Sequence, residues 1–500
     1  MRRCGHVRQR TVEIAGILEA SSTFESARQQ HGPAVKAVPG PAHKDSIARA
    51  QAAGREARSS LPRRDFATLT LPERDPVGIL EGQHAARLAD LIPVRVGRML
   101  QTPFSFYRGA AAVMAHDLAD SPVTGHTLIA SGDAHLANFG LFASPERRLI
   151  FDLNDFDEAY PAPWEWDIKR LAASIWLNGR NNSHTEEQCG TAVKECVRSY
   201  REALKSLYSH TATERYYFQV DAEVLAARQT ATGKRIKAEQ KKARQRTSEQ
   251  VLTKLTTTTE SGEPRIVDQP PIVRHRQVQD FGAMESLIEQ YRSTLRPDTS
   301  LLMSQYRLVD FARRIVGVGS VGTRSWVLLF EGPAGEPLFL QAKEAGKSVL
   351  ETHGRVLQAP ERLEKALTTR GQGYRVVGAQ RILQAQSDPF LGWIKDVTGD
   401  DGRQRDFYIR QFRDMKGSFT LAEMNAEETS GYGRLCGGLL ARAHSQSTGS
   451  AFIHGYLGGG DIFDDALADW ARSYADQTEA DHAALEQAVQ SGRLPAERGV

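Results

Sequence analysis

The sequence predicts an α/β fold of the α+β kind, with helices and strands segregated along the chain. Three observations carry this reading. Short apolar runs at 127–130 (TLIA) and 149–153 (LIFDL) each end in a polar cluster, as buried strands do when they deliver chemistry at their ends. Residues 310–345 are rich in strand formers broken by glycines, among them Val316, Val318, Val321, Trp326, Val327 and Phe330. By contrast, residues 166–180, 186–208, 430–446 and 462–490 carry helical spacing.

The remaining elements follow in order. Residues 1–65 are rich in Ala, Arg, Gly, Ser and Pro, with weak periodicity, and predict a disordered extension or a start codon assigned too far upstream. Residues 78–100 predict a helix interrupted at Pro93, and 104–119 a second helix. Residues 221–255 are helical and basic, with Lys234, Lys237, Lys241 and Lys242; a solvated helix face is the reading preferred over a polyanion site. Residues 256–275 read as a loop, and 374–412 as further short strands.

Composition limits the function classes. The 500 residues are 40% hydrophobic and 25% charged, ordinary for a globular protein. The 64 basic and 61 acidic residues leave a net charge of +3, which argues against nucleic acid or a membrane as the main partner. The cysteines, Cys4, Cys189, Cys196 and Cys436, form no C-x-x-C pair and read as buried thiols. No run of 18 apolar residues occurs, and Arg2, Arg3 and Arg8 precede no apolar leader core. A cytoplasmic location is expected.

The chemistry concentrates at residues 131–167. Asp133, His135, Asn138, Asp152, Asn154, Asp155, Asp157 and Glu158 crowd beside two apolar runs. Clustered carboxylates repel unless something positive sits among them, and Asp and Asn oxygens suit magnesium. In phosphoryl transfer an Asp accepts the hydroxyl proton, an Asn five residues on holds magnesium, and a later Asp holds it again. Asp133, Asn138 and Asp155 have that arrangement. Gly317-Val318-Gly319-Ser320-Val321-Gly322 adds a G-x-G-x-x-G run between strand-like segments, which favours a hairpin lid over phosphates. Arg108 is a further phosphate-facing candidate.

The stretch Gly132-Asp133-Ala134-His135-Leu136-Ala137-Asn138, then Asp155-Phe156-Asp157-Glu158, then Trp166-Asp167-Ile168 resembles the catalytic core of the aminoglycoside phosphotransferase and choline kinase branch of the protein-kinase-like superfamily. Ser131 stands where that branch has a histidine. The resemblance implies ATP and magnesium as cofactors and an unidentified hydroxyl acceptor as partner. Asp133 would be the base, His135 would orient its loop, and Asn138 and Asp155 would hold metal, with Asp152 competing for that role. Asp167 would cap the next helix and brace the loop. Phe339-Leu340-Gln341-Ala342-Lys343 resembles the strand bearing the phosphate-binding lysine, with Glu351 as the candidate partner of Lys343.

The order of these parts is a circular permutation of the kinase-like two-lobe order, since the glycine run and lysine follow the catalytic loop. The domains expected are a disordered extension at 1–75, the catalytic half of a large helical lobe at 76–215, a helical insertion and loop at 216–300, a small β-rich nucleotide-binding-like lobe at 301–415, and helices completing the large lobe at 416–500. RVGRMLQTPFSFYRGAAAVMAHDLA (95–119), GDAHLANFG (132–140), VGVGSVGTR (316–324) and RQFRDMKGS (410–418) make the chain similar to the bacterial family designated domain of unknown function 2252. Three functions remain open: kinase-like phosphotransfer, a metal-dependent phosphoesterase using Asp133, His135, Asp152 and Asp155, and a non-catalytic nucleotide-binding protein.

Overall fold

The computed structural model describes residues 41–228, 230–260, 262–275, 281–315, 317–356, 361–399, 401–412 and 415–499. The chain is mixed α/β, as expected. It opens with helices α1 (Pro41–Ser60), α2 (Pro76–His84), α3 (Ile92–Met99), α4 (Pro103–Gly109) and α5 (Ala111–Leu118). The carboxylate of Asp75 caps α2 and the hydroxyl of Thr102 caps α4, each ahead of a proline whose missing N–H costs nothing in a first turn. Pro93 likewise sits in the first turn of α3, so the break expected at Pro93 lies earlier, at residues 85–91. The helix expected over 104–119 divides at Ala110.

The extension expected over 1–75 requires correction where it is described; residues 1–40 lie outside the described residues. Helix α1 packs on α17 (Ala451–Leu457), backbone against backbone. A Cβ at Gly54 would lie 2.0 Å from the Phe452 carbonyl oxygen, and one at Gly455 would lie 2.2 Å from that of Gln51. Phe66 follows, buried against Tyr456 and Phe463. Close glycine packing and one aromatic anchor order a segment whose composition reads as disordered.

Strands β1 (Thr127–Ala130), β2 (Phe139–Ala143), β3 (Leu149–Leu153) and β4 (Tyr160–Pro163) form two antiparallel pairs, β1–β4 and β2–β3. The two apolar runs are β1 and β3. Their partners carry Gly140, Pro161 and Pro163, which weaken a strand signature. Helices α6 (Trp164–Asn181) and α7 (Glu186–Leu207) follow, then α8 (Ala212–Tyr217), α9 (Ala222–Ala226), α10 (Ala231–Arg244) and α11 (Ser248–Leu255). Lys234, Lys237, Lys241 and Lys242 face solvent on α10 while Ile236, Gln240 and Ala243 face inward. Helices α6 and α7 share the main core with α16 (Ala426–His444), α17 and α18 (Ile462–Gln490). Cys189, Cys196 and Cys436 are buried free thiols there; Cys4 lies outside the described residues.

The middle of the chain builds a six-stranded antiparallel sheet in the order β11-β12-β10-β9-β8-β7. Its strands are β7 (Val273–Arg274), β8 (Arg307–Arg314), β9 (Ser325–Glu331), β10 (Pro337–Ala345), β11 (Gly392–Thr398) and β12 (Gln404–Gln411). The segment 256–275 is not all loop. It forms the hairpin β5 (Thr256–Thr258) and β6 (Pro264–Ile266) and then β7. On β10, Leu338, Leu340 and Ala342 pack against α12 (Phe281–Ser293) and α13 (Pro297–Met303), through Tyr291, Leu295 and Met303. Phe339 points to the other face, against Val251 of α11 and Ile266 of β6.

After β10 come the short α14 (Val349–Thr352) and the long α15 (Glu361–Leu383), kinked at Gly371. The strands expected from residue 374 therefore begin only at 392. Gly373, Val376, Val377, Gln380 and Leu383 are buried at helical spacing, and that periodicity overrides the strand preference of paired valines. Among the described residues no helix is long and apolar enough to cross a membrane.

One buried cation gives a stability test. Lys169 on α6 is 2% exposed, its ammonium 5.3 Å from the ring of Phe66 and 4.9 Å from that of Trp470. Burial pulls it down to about 8 despite Glu165 nearby. The unfolded chain then binds more protons between pH 8 and the ordinary lysine value, so stability rises with pH through that window. Lys169→Met is expected to be more stable than the parent at pH 7 by on the order of 2 kcal/mol, the two converging as pH rises past 9. Urea unfolding from pH 7 to 10 measures this. Parallel pH curves would contradict it.

Candidate functional site

The site begins at the turn leaving β1. Gly132 has φ +78°, and a Cβ there would lie 2.2 Å from the Glu158 carbonyl oxygen, so the turn rests directly on the chain leaving β3. The carboxylate of Asp167, in the first turn of α6, accepts from the backbone N–H of Ser131 at 2.7 Å and of Gly132 at 2.9 Å. His444 of α16 sits 3.1 Å from the same carboxylate, and its other ring nitrogen is 2.8 Å from the Tyr200 hydroxyl. Asp167 thus braces the loop but does not cap the helix, which already begins at Trp164 behind Pro163.

Asp133 is thereby presented with its side chain 20% exposed to a cleft. Its Oδ1 accepts from Arg170 Nε at 2.7 Å. Arg170 is fixed in turn: it donates to the Tyr107 carbonyl at 2.8 Å and lies 3.9 Å over the Tyr107 ring. Burial pushes Asp133 up to about 7; Arg170 opposes the rise, and Glu158 and Asp155 add to it. His135 is buried, accepts from Ala137 N at Nδ1 (3.2 Å), and turns Nε2 toward Asp133 Oδ2 at 3.7 Å. Burial, with Arg108 and Arg170 close by, holds its pKa far below the ordinary histidine range. The ring is neutral, with its proton on Nε2. Asn138 Nδ2 donates to the Asp133 carbonyl at 2.6 Å, leaving Oδ1 as the atom available to a cation.

Lys343 on β10 is buried behind Asp155 and Asp157 and does not itself line the cleft. Its ammonium lies 2.6 Å from Asp157 Oδ2 and 3.7 Å from Asp155 Oδ1. Burial opposes its charge, but the two carboxylates outweigh burial and raise its pKa. Tyr408 of β12 donates to the other oxygen of Asp157. Asp157 is thus fully engaged, whereas Asp155 Oδ1 is buried with no hydrogen-bond partner. Arg375 of α15 completes the junction by donating to the carbonyls of Asp157, Ala159 and Gly346 at 2.6–2.8 Å.

A cleft of about 400 Å³ joins these parts. Asp133, His135, Asn138, Asp155, Arg108, Gly317, Gly319 and Ser320 all line it. Gly322 is drawn outward, its carbonyl accepting from Leu88 N at 2.8 Å. Val316 and residues 413–414 of the quoted motifs lie outside the described residues. Two expectations are corrected. Glu351 pairs with Lys347 at 2.8 Å, and the partner of Lys343 is Asp157. Asp152 is 1% exposed and points away from the cleft, its oxygens accepting from the backbone N–H groups of Leu153 and Ala385. It braces the chain beside β3 and is spent as a metal ligand.

The remaining donors fit a hard divalent cation. Asn138 Oδ1 and the carboxylate of Asp155, which lacks any hydrogen bond at Oδ1, come from residues that line the cleft, the set an ion uses when water and substrate oxygens complete its shell. Among the described residues no three His, Cys, Asp or Glu side chains gather as a closed cage. Sequence reasoning missed Arg170, Arg375, Arg87 and the partnership of Asp157 with Lys343. Only Arg170 had a local signal, one turn beyond Asp167 on a helix.

Removing the brace is expected to loosen the loop. Asp167→Ala strands two buried N–H groups and a histidine, costing on the order of 3 kcal/mol, with Asp167→Asn intermediate. Denaturant unfolding reads the loss, and faster hydrogen exchange at Ser131 and Gly132 localises it. Unchanged exchange at those amides would count against the bracing role. No curated protein and no solved structure matches the chain. A family model described as "Uncharacterized protein conserved in bacteria (DUF2252)" matches residues 87–488, which take in every lining residue of the cleft except Gln83 and Ala86. The chain belongs to the DUF2252 family.

Proposed function

We propose that this protein is an ATP- and magnesium-dependent phosphotransferase of kinase-like type, acting on a hydroxyl of a small molecule or protein, with the kinase-like parts in circularly permuted order. The observation that carries the reading is the shared cleft, lined by Asp133, Asn138 and Asp155 and by the glycine turn, with Lys343 buried behind its lining and ion-paired to Asp155 and Asp157. The closed end of the cleft supplies cations for phosphates, and the open carboxylate of Asp133 supplies a base.

In the proposed reaction the acceptor hydroxyl lies against Asp133 Oδ2, the oxygen that Arg170 leaves free. Its oxygen forms a bond to the terminal phosphorus, the bond from that phosphorus to the leaving diphosphate breaks, and the proton passes to Asp133. A base with a pKa close to neutrality suits that transfer. Arg170 and neutral His135 fix the carboxylate's orientation. Arg108 bears on the phosphate oxygens, and Lys343 holds Asp155 and Asp157 in place from behind. Magnesium, held by Asn138 and Asp155, would neutralise phosphate charge as it develops. The phosphoesterase reading is weaker because it needs Asp152, whose oxygens are taken by backbone amides.

Mg·ATP is expected to bind the full chain in isothermal titration, and Asp133→Asn to keep its affinity within about threefold. The same variant should lose basal release of the terminal phosphate to water by at least about a hundredfold. With Asp133 near 7 in the free protein, basal kcat/KM should fall tenfold per unit as pH drops below that value. Failure of Mg·ATP to bind, or phosphate release from p-nitrophenyl phosphate without ATP, would overturn the assignment.

A further inference from the structure

We infer that a second cavity, at the end of β12, binds a compact carboxylic acid with an apolar body and a hydrogen-bond donor. The cavity has a volume of about 210 Å³ and shares no lining residue with the cleft. The β2–β3 hairpin, α15 and the end of β12 surround it. Charge is the first observation. Arg410 on β12 and Lys416 beyond it both line the cavity, and Arg147 lines its exposed rim. Arg410 donates to the Asn154 carbonyl at 3.0 Å, while its Nε is buried with no hydrogen-bond partner. Burial opposes the Arg410 charge, but neighbouring groups, Asp155, Asp157 and Asp388 among them, outweigh burial and raise its pKa. The Lys416 ammonium lacks that support. It makes no hydrogen bond or ion pair with a described residue. Burial, with Arg410 and Lys343 close by, pulls it down to about 7 against the pull of Asp388 and Asp155. One positive charge is therefore left without a counterion, and a lone buried charge is costly until an anion joins it. A single negative charge matches that balance. Asp388 also lines the cavity, its oxygens accepting from Phe390 N and Gln411 N, and it counts against a dianion.

The second observation is an open acceptor. Gln380 of α15 lines the cavity, is 4% exposed, and has no partner for its Oε1. A relay fixes which way that amide points. Gln380 Nε2 donates to Gln384 Oε1 at 2.9 Å, and Gln384 Nε2 donates to the Leu153 carbonyl at 2.7 Å. A carbonyl can only accept, so both amides are set and the atom left over at Gln380 is an acceptor. A buried acceptor left open costs free energy that a ligand's donor recovers. The lining also includes Phe142, Pro389 and Phe390, apolar surfaces that suit the body of a small molecule. At about 210 Å³ the cavity is smaller than the roughly 300 Å³ where drug-sized pockets begin, so that body is about one ring. Asn154 lines this cavity and Asp155 lines the cleft, so consecutive residues face the two sites.

The test is a titration of the full chain, read by ligand-observed NMR, with 4-hydroxybenzoate, benzoate, benzyl alcohol and inorganic phosphate. The first is expected to bind with a Kd below about 1 mM, benzoate about fivefold more weakly for want of the donor, and benzyl alcohol at least about tenfold more weakly than benzoate for want of the charge. Phosphate should bind more weakly than 4-hydroxybenzoate. Lys416→Met should weaken both acids about tenfold and leave benzyl alcohol unchanged, and Lys416→Glu should abolish binding of the acids. Circular dichroism checks that both variants are folded. Saturating Mg·ATP should displace neither acid. Absence of saturable binding by the acids, equal binding of benzoate and benzyl alcohol, phosphate binding tighter than 4-hydroxybenzoate, or acid binding unchanged in folded Lys416→Met would overturn the inference. Displacement of the acids by Mg·ATP would overturn it too, by making the cavity part of the nucleotide site. Failure of Mg·ATP to bind at all would remove the phosphotransferase reading and leave this site standing.

Discussion

The arrangement depends on one buried ion pair, Lys343 with Asp157, which joins residues 186 positions apart. A buried ammonium facing no acid would be far too costly to keep charged, and two neighbouring carboxylates would repel without it. Each side is tolerable only because the other is present. The pair therefore works as a fastener between the six-stranded sheet and the loop after β3. Around it the polar atoms are nearly all spent: Tyr408 takes the second oxygen of Asp157, and Arg375 takes the carbonyls on either side. What is left over is informative. Arg108 Nε stays buried with no hydrogen-bond partner, and Asp155 Oδ1 has only the longer ion pair to Lys343, beside a fully engaged neighbour. Groups of opposite charge so placed in one cleft are what a bound, charged ligand would satisfy.

Asp133 is held by a different logic. Asp133 has one oxygen fixed by Arg170 and one facing the cleft, and its backbone is fixed twice, by Asp167 through the preceding amides and by Asn138 through its own carbonyl. All but Asn138 of these supports come from α6, so one rigid helix sets both the position and the charge environment of the carboxylate. This economy explains why α6 is buried along nearly its whole length despite carrying Glu165, Asp167, Lys169 and Arg170. Those four ionisable groups could not be buried singly; each has a partner within its own turn or across the core.

How much of this was legible in the sequence follows from the range of the interactions. Asp133, His135 and Asn138 lie in one loop of seven residues, and β1 and β3 announce themselves by apolar runs. Spacing alone therefore assembled half of the cleft. The glycine run and Lys343 could be recognised as parts, since each is a local pattern. The partner of Lys343 could not, because choosing between Glu351, eight residues away, and Asp157, far upstream, is a question about tertiary geometry that local spacing answers wrongly. Asp152 failed for a related reason. In a strand its side chain alternates away from its neighbours, and backbone amides from 153 and 385 consume it. The ordering of residues 41–75 was hidden too, because it comes from two glycines and one phenylalanine meeting a surface more than 380 positions distant.

Residues before β1 and residues after α17 meet across an interface dense in ion pairs. Arg74 bridges Asp117 and Asp481, Arg493 reaches Asp75 and Glu81, and Glu497 N donates to the Pro93 carbonyl. These contacts close the two ends of the helical part on each other. They also carry the clamp on the glycine turn, because Arg87, Leu88 and Arg98 belong to the same early segment. When the ends of a compact unit lie side by side, the order of its pieces along the chain is free to change while its contacts stay fixed. The early helices lie over the glycine turn and supply Arg87 and Arg108 to the cleft, so the clamp on the turn and the positive charge beside it come from one segment.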